Sequence, residues 1–95
     1  MVRLVWTFQA SEDLEEIAKF ISRDSEYNAK SFIKKIVKST EILKAFPLSG
    51  RVVPELKRQD LREITVGPYR VIYQFETDSI SILTVYHSSR IFPQE

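Results

Sequence analysis

Eight polar side chains in the second half of the sequence have the chemistry of a catalytic or anion-binding site. They are one glutamate, one histidine, one lysine and five arginines: Arg51, Glu55, Lys57, Arg58, Arg62, Arg70, His87 and Arg90. Such groups can assemble a ribonuclease, which removes a proton from a 2′-hydroxyl, stabilises a pentacoordinate phosphate and protonates the leaving oxygen. The six cations of the set can also bind an acidic target or a phosphate without any reaction.

Arg70 is the central candidate of this set. It begins a strand-like run in which Val71, Tyr73 and Phe75 alternate with Arg70, Ile72 and Gln74, so that Arg70 faces away from the side predicted to be the core. Arginine is costly to bury without a partner, which predicts a carboxylate, a phosphate or open solvent beside it. In a nuclease, Arg70 would hold the phosphate in a bidentate grip, His87 would act as acid or base, and Glu55 would be the partner of His87.

Each of these residues also has a structural interpretation. A lone histidine at a strand end more often caps or packs than catalyses, and Arg90 can fix the tail. Arg70 can pair with Glu63 across the turn at Gly67-Pro68, and Glu55 can pair with Arg58.

Several other kinds of site are disfavoured, and no cofactor is expected. The chain has no cysteine and one histidine, which argues against a thiolate or histidine-rich metal site. It has two glycines, too few for a glycine-rich phosphate loop, and it lacks a local signature of a catalytic serine.

The net charge is only +1, but the charge is unevenly distributed. Residues 1–26 carry three basic and six acidic side chains, residues 27–75 carry ten basic and four acidic, and residues 76–95 carry one basic and three acidic. The positive middle predicts an acidic partner, either nucleic acid or protein. The alternative is a solvated lysine face on one helix.

The length of 95 residues predicts one domain over residues 1–95. No apolar run approaches the ~20 residues of a membrane span, and the N-terminus lacks the pattern of a signal peptide. We therefore expect a protein of the cytoplasm with no membrane association.

The first half of the chain predicts a strand and two helices. Residues 2–7 alternate as a strand does, and Ser11 is the predicted N-cap of a first helix over residues 12–22. A second helix is predicted from about Glu26 to Phe46-Pro47, since the residue before proline avoids helical geometry. Its predicted inner stripe is Ala29, Phe32, Ile33, Ile36, Val37, Thr40 and Leu43, and its predicted polar face carries Lys30, Lys34, Lys35 and Lys38.

The second half predicts a long loop and three strands. The loop covers residues 48–60, and the strands cover residues 61–66, 70–76 and 79–87. The last strand is apolar on both faces, which is typical of a central strand. Residues 88–95 are predicted to leave the sheet.

The predicted fold is therefore α+β with the order β-α-α-β-β-β. A helical hairpin is expected to cover one face of a twisted antiparallel four-stranded sheet. The opposite face should be partly bare, and Arg70 and the basic loop should border it.

Three segments of the sequence resemble the RelE/ParE superfamily of toxins. They are Leu61-Arg62-Glu63-Ile64, the run from Gly67-Pro68-Tyr69-Arg70 to Tyr73, and the ending Ile82-Leu83-Thr84-Val85-Tyr86-His87-Ser88-Ser89-Arg90. The resemblance covers nearly the whole chain. It implies the toxin of a type II toxin–antitoxin pair, a growth inhibitor bound by a cognate antitoxin in a possible hetero-oligomer.

Two branches of the superfamily differ in their targets: RelE-like members cut messenger RNA on the ribosome, and ParE-like members block DNA gyrase. The lysines of many nucleases would fall near Leu61 and Glu63 and are missing, and no tyrosine follows Tyr86. A nuclease variant with a glutamate, an arginine and a histidine would match Glu55, Arg70 and His87, but its final tyrosine is Ser88.

The ending with His87 and Arg90 is closer to the ParE-like branch, which the sequence therefore favours. The alternatives are a ribosome-dependent endoribonuclease and a degenerate member that only binds its antitoxin.

Overall fold

The computed structural model describes residues 2–90, in which two helices pack on one face of a five-stranded sheet. In chain order the elements are β1 (Arg3–Trp6), α1 (Phe8–Ser22), α2 (Glu26–Glu41), a 3₁₀ turn (Ile42–Lys44), β2 (Arg51–Val52), β3 (Leu61–Val66), β4 (Tyr69–Phe75) and β5 (Ser79–His87). The predicted α+β class is confirmed. The predicted path of residues 91–95 lies outside the described residues.

The sheet differs from the prediction in strand number and in direction. Its order is β1-β5-β4-β3-β2, and β1 runs parallel to β5 while the other pairs are antiparallel. The extra strand β2 is only two residues long, and it lies in the predicted loop because Arg51 and Val52 pair with Glu63 and Arg62. The sheet is thus mixed, since β1 uses the edge of β5 that β4 leaves free.

The prediction that the last strand is central is confirmed. β5 lies between β1 and β4, and Ile80, Ile82 and Val85 are buried. The β4–β5 register shifts between Ile72 and Tyr73, which gives β5 a bulge there.

Helix α1 begins four residues earlier than predicted. Its N-cap is Thr7 rather than Ser11, since the Thr7 hydroxyl accepts a hydrogen bond from the Ala10 amide at 3.2 Å. The same hydroxyl donates to the Ile82 carbonyl at 2.8 Å, so one side chain ends β1, starts the helix and joins it to β5. Ala10, which lies before the predicted helix start, is fully buried in the first turn.

Helix α2 has Ser25 as its N-cap and ends at Glu41, before a 3₁₀ turn that was predicted as helix. Four residues of the predicted inner stripe are buried: Ala29, Ile36, Thr40 and Leu43. Phe32 and Ile33 are half-buried against the core, whereas Val37 is exposed at 37 %, so its assignment to that stripe was wrong. The four lysines of the predicted polar face are exposed.

The two faces of the sheet carry different cores. On the helical side, Val71 and Tyr73 of β4 are fully buried in the main cluster beneath α1 and α2. On the other side, the loop after β2 packs Val53 against Leu61, Ile72 and Tyr86 in a second, smaller cluster. The face predicted to be partly bare is therefore covered in part by the loop. None of the helices within residues 2–90 has the length and apolarity that crossing a bilayer requires.

Candidate functional site

Arg70 lies on the loop-covered face of the sheet, as its alternation in β4 predicted. Its side chain is 11 % exposed, and two carboxylates surround its guanidinium. Nη1 and Nη2 donate to the two Glu55 oxygens at 3.0 and 2.9 Å, and Nε donates to Glu63 Oε1 at 3.0 Å. Arg70 Nη2 also donates to Glu63. This bidentate pairing with Glu55 and the contact with Glu63 together raise the pKa of Arg70.

Glu63 is the buried anion behind this site. Its side chain is 1 % exposed, and its second oxygen accepts a hydrogen bond from Arg51 Nε at 2.6 Å. A carboxylate so deeply buried requires cations beside it, because desolvating an unpaired charge costs several kcal/mol. The pairing of Arg70 with Glu63, which the sequence offered as a structural alternative, is therefore present. The signal in the sequence is a charged residue in phase with Leu61 on β3, at a position that would otherwise be apolar.

Glu55 reaches Arg70 from the loop. Val53 anchors this loop through its amide, which donates to the Leu61 carbonyl at 3.1 Å, and its own carbonyl accepts from the amides of Leu56 and Lys57. Lys57 closes the turn at φ 52°, in the left-handed region that non-glycine residues seldom adopt. The hydrogen bonds from Arg70 lower the pKa of Glu55. The alternative pairing of Glu55 with Arg58 is absent, since Arg58 bonds to Asp60 at 2.7 Å.

The aromatic ring of Tyr86 forms the floor of the site, and sequence reasoning missed it. The Arg70 Cζ atom lies 5.4 Å from the ring centroid, which is within the range of a cation–π contact. Tyr86 lies opposite Arg70 in the β4–β5 register. A sequence prediction that had also fixed this register would therefore have placed Tyr86 beside Arg70. Burial raises the pKa of Tyr86.

The other cations of the predicted set have separate positions around the loop. Arg51 is a surface group with a side chain 66 % exposed, although its Nε contacts Glu63. Arg62 donates to the Gln59 and Gly50 carbonyls at 2.9 and 3.2 Å, so it holds the loop in place. Lys57 and Arg58 are exposed on the loop. Formally, the central cluster of Arg51, Arg70, Glu55 and Glu63 holds two positive and two negative charges.

His87 lies on the opposite side of the sheet from Arg70. It pairs with Tyr69 in the register, and its ring meets the ring of Tyr69 edge-on at a centroid distance of 5.3 Å. The backbone amide of Ser89 donates to His87 Nδ1 at 3.1 Å, which fixes the imidazole at the end of β5. The structure therefore brings Arg70 and Glu55 together but separates both from His87.

Arg90 lies beyond the end of β5, on the same side as His87. Its amide donates to the His87 carbonyl at 3.0 Å, and its exposed side chain lines a groove of about 410 Å³ with Asp13, Glu16 and Phe20 of α1. A second groove of about 540 Å³ runs between the helices and the end of the sheet, lined by Phe20, Phe32, Lys35 and His87 among others. Among residues 2–90, no three histidine or acidic side chains gather as a metal ion would need.

Asp13 is a further residue whose role the sequence did not reveal. Its Oδ2 accepts hydrogen bonds from the Thr84 hydroxyl at 2.6 Å and the Val85 amide at 2.9 Å. The contact fixes α1 against β5 beside the bulge.

Comparison with known proteins places the chain in a family. Residues 4–92 match the family model described as "ParE toxin of type II toxin-antitoxin system, parDE". The curated protein "Putative toxin Y4kP" of Sinorhizobium fredii (strain NBRC 101917 / NGR234) is 31 % identical over 94 residues, which cover 97 % of this chain and 94 % of that protein.

Two solved structures share the fold. The structure titled "Chromosomal ParDE TA system from P. aeruginosa" aligns with a TM-score of 0.76 at 22 % identity, over 92 % of this chain and 96 % of that one. The solution structure of the conserved hypothetical protein HP0894 from Helicobacter pylori aligns with a TM-score of 0.53 at 13 % identity, over 97 % and 100 % of the two chains. Since the family model spans nearly all of the described residues, the chain belongs to the ParE toxin family of type II toxin–antitoxin systems.

Proposed function

We propose that this toxin inhibits growth by binding DNA gyrase and that a cognate antitoxin protein neutralises it. The alternative within the superfamily is a ribosome-dependent endoribonuclease built on Arg70, His87 and Glu55. The choice between them depends on whether those three side chains can meet one substrate.

The observation that carries the proposal is the separation of the three candidate catalytic groups by the sheet. Arg70 and Glu55 lie on the loop-covered face, while His87 packs against Tyr69 at the edge of the helical face. A general acid or base must come within hydrogen-bond reach of the reacting phosphate, and a phosphate on Arg70 has the strand between itself and His87. The guanidinium is also already neutralised by two carboxylates.

The position of Glu63 supports the same conclusion. It falls near a point of β3 where many nuclease members of the superfamily place a lysine, and here it is a buried anion. A buried carboxylate there cannot supply the positive charge with which that lysine would bind a phosphodiester. Protein binding does not require a phosphate at this point.

We propose that gyrase contacts the loop-covered face and its rim. Arg51, Lys57 and Arg58 are exposed there, and their charges can guide an acidic protein surface to the loop. Leu56, at 36 % exposure, adds apolar area to the same loop.

We propose that the antitoxin contacts the helical layer. The four lysines of α2 are exposed, and Phe20 is 62 % exposed beside the groove of about 540 Å³. An acidic and partly disordered segment can fold onto such a surface, with apolar anchors in the groove and carboxylates on the lysines. Its affinity should decrease as salt is added.

The proposal is tested by a supercoiling assay with purified toxin and gyrase, using two matched charge variants. Arg51→Ala/Arg58→Ala removes two charges from the loop rim, and Lys30→Ala/Lys34→Ala removes two from α2. The loop variant should lose gyrase inhibition and retain antitoxin binding, and the helix variant should do the reverse. If wild-type toxin in large excess leaves supercoiling unchanged, gyrase is not the target.

A parallel assay tests the ribonuclease. Cleavage of messenger RNA in a translating extract, lost in folded Arg70→Ala protein, would replace the gyrase proposal. Expression without growth arrest would instead favour a member that only binds its antitoxin.

A further inference from the structure

The contact between Glu55 and Arg70 has the geometry of a ligand in a binding site. The two Glu55 oxygens meet Nη1 and Nη2 of the guanidinium at 3.0 and 2.9 Å, the arrangement in which arginine binds a carboxylate of a partner protein. We propose that Glu55 occupies a carboxylate-binding site on Arg70, and that an acidic side chain of the target protein displaces Glu55 and takes its place. This inference rests on the proposed protein target.

Arg70 is held in place independently of Glu55. Its Nε donates to Glu63, whose own side chain is 1 % exposed and is held by Arg51 as well. The ring of Tyr86 lies beneath the guanidinium at 5.4 Å. Because these contacts fix the Arg70 guanidinium without Glu55, a carboxylate that binds there meets donors that are already oriented. This reduces the entropic cost of binding.

Glu55 can leave without unfolding the loop. Its side chain is 33 % exposed, and the loop is anchored two residues earlier by fully buried Val53. The turn bonds at Leu56 and Lys57 go to the Val53 carbonyl and do not involve the Glu55 side chain. Displacement therefore requires rotation of one side chain, and the new carboxylate replaces the lost hydrogen bonds.

The charge of the site suits a single carboxylate. With Glu55 removed, Arg51, Arg70 and Glu63 leave one formal positive charge. A single carboxylate replaces the charge of Glu55, whereas a doubly charged phosphate monoester would place one more negative charge beside buried Glu63. A phosphodiester carries the same single charge as a carboxylate, so the distinction between those two depends on the apolar surroundings of the site. The exposed Leu56 side chain next to the site favours a protein segment over the sugar–phosphate backbone of a nucleic acid.

The experiment uses two small monoanions as probes and observes Arg70 directly. Acetate represents an acidic side chain, and dimethyl phosphate represents a phosphodiester. Each is titrated into the full chain labelled with ¹⁵N while the Arg70 Nε–H resonance is followed, with wild type, Glu55→Ala and Glu55→Gln compared at constant ionic strength. Exposed Arg58, whose side chain is 59 % exposed, serves as an internal reference in the same spectra.

The expected result is a saturable shift at Arg70 with acetate that is about tenfold tighter in Glu55→Ala than in wild type, since the internal carboxylate no longer competes. Asp60→Asn is the matched control: it removes an equal charge from the Arg58 pair of the same loop and should leave acetate binding at Arg70 unchanged.

Three results would overturn the inference. They are no saturable shift at Arg70 in either folded Glu55 variant, equal acetate affinity in Glu55→Ala and wild type, or dimethyl phosphate binding as tightly as acetate. Backbone amide spectra establish that the variants are folded. Since gyrase is absent from this titration, the result judges the site, and the supercoiling assay separately judges the target.

Discussion

Replacement of Glu63 by glutamine tests whether the buried carboxylate holds the loop-covered face together. Glu63→Gln preserves the size of the side chain, so that no cavity is formed and the change is one of charge. Glu63 accepts hydrogen bonds from Arg70 and Arg51, and its side chain is 1 % exposed. After substitution, Arg70 at 11 % exposure loses its buried counter-ion and keeps the contact with Glu55.

The two arginine contacts contribute unequally to the expected loss. Arg51 is 66 % exposed and can return to solvent, so its share should be below about 1 kcal/mol. The Arg70 contact is buried, and breaking such a pair by removing one partner costs roughly 3–5 kcal/mol. We expect Glu63→Gln to lower the free energy of unfolding by about 3 kcal/mol, which corresponds to a fall in Tm of roughly 12–24 °C for a domain of this size.

The assay is urea unfolding followed by circular dichroism, with thermal melts as a second measurement. Glu76→Gln is the matched control because Glu76 is exposed in the turn after β4, and it should change stability by less than about 0.5 kcal/mol. Glu55→Gln should cost no more than about 1 kcal/mol, since Glu55 is one-third exposed. If Glu63→Gln unfolds at the same urea concentration as Glu76→Gln, the buried ion cluster does not support the fold and the reasoning is wrong.

Three further predictions follow from neighbouring contacts. Gly50→Ala should destabilise the protein by about 1–3 kcal/mol in the same urea assay, because the new Cβ would lie 2.6 Å from both the Glu63 carbonyl oxygen and the Tyr73 hydroxyl; a neutral result would contradict this packing. Tyr73→Phe should cost about 1–2 kcal/mol, since its hydroxyl accepts from the Gly50 amide at 3.0 Å and donates to the Pro47 carbonyl at 2.7 Å, and an unchanged urea midpoint would exclude those bonds. Arg70 lowers the pKa of Glu55, so the stability from this contact is present above the unfolded-state pKa near 4.5 and is lost as the pH falls through the lower folded-state pKa. Glu55→Gln should therefore lose less stability than wild type as the pH is lowered, and an equal loss of stability in the two proteins would refute this.

Local patterns in the sequence predicted the elements that form the main core. The alternation in β4 correctly indicated which of its side chains face the helices, and the two apolar faces of β5 correctly indicated a central strand. The direction of β1 was not predictable in this way, because alternation fixes which face a residue points to and carries no information about its neighbour's direction. The short β2 escaped notice because two residues are too few to show a period.

The site was predictable in part. The arginine in β4 predicted a carboxylate, a phosphate or open solvent beside it, and Glu63 was one of the partners considered. That Glu55 would share Arg70 depends on a loop whose turn places Lys57 at positive φ, which no sequence pattern indicated. The helix start was misplaced because Ser11 is a good cap by type, whereas Thr7 also bonds to β5, and that tertiary contact decided the boundary.

The pairing of β1 with β5 joins the two ends of the fold. The Thr7 hydroxyl and the Ile82 carbonyl are 75 positions apart along the chain, yet they are hydrogen-bonded. During synthesis, β1 therefore stays unpaired with β5 until β5 has left the ribosome. Contacts between segments so far apart in the sequence also form slowly. A partly made chain consequently lacks its completed sheet until β5 has been translated.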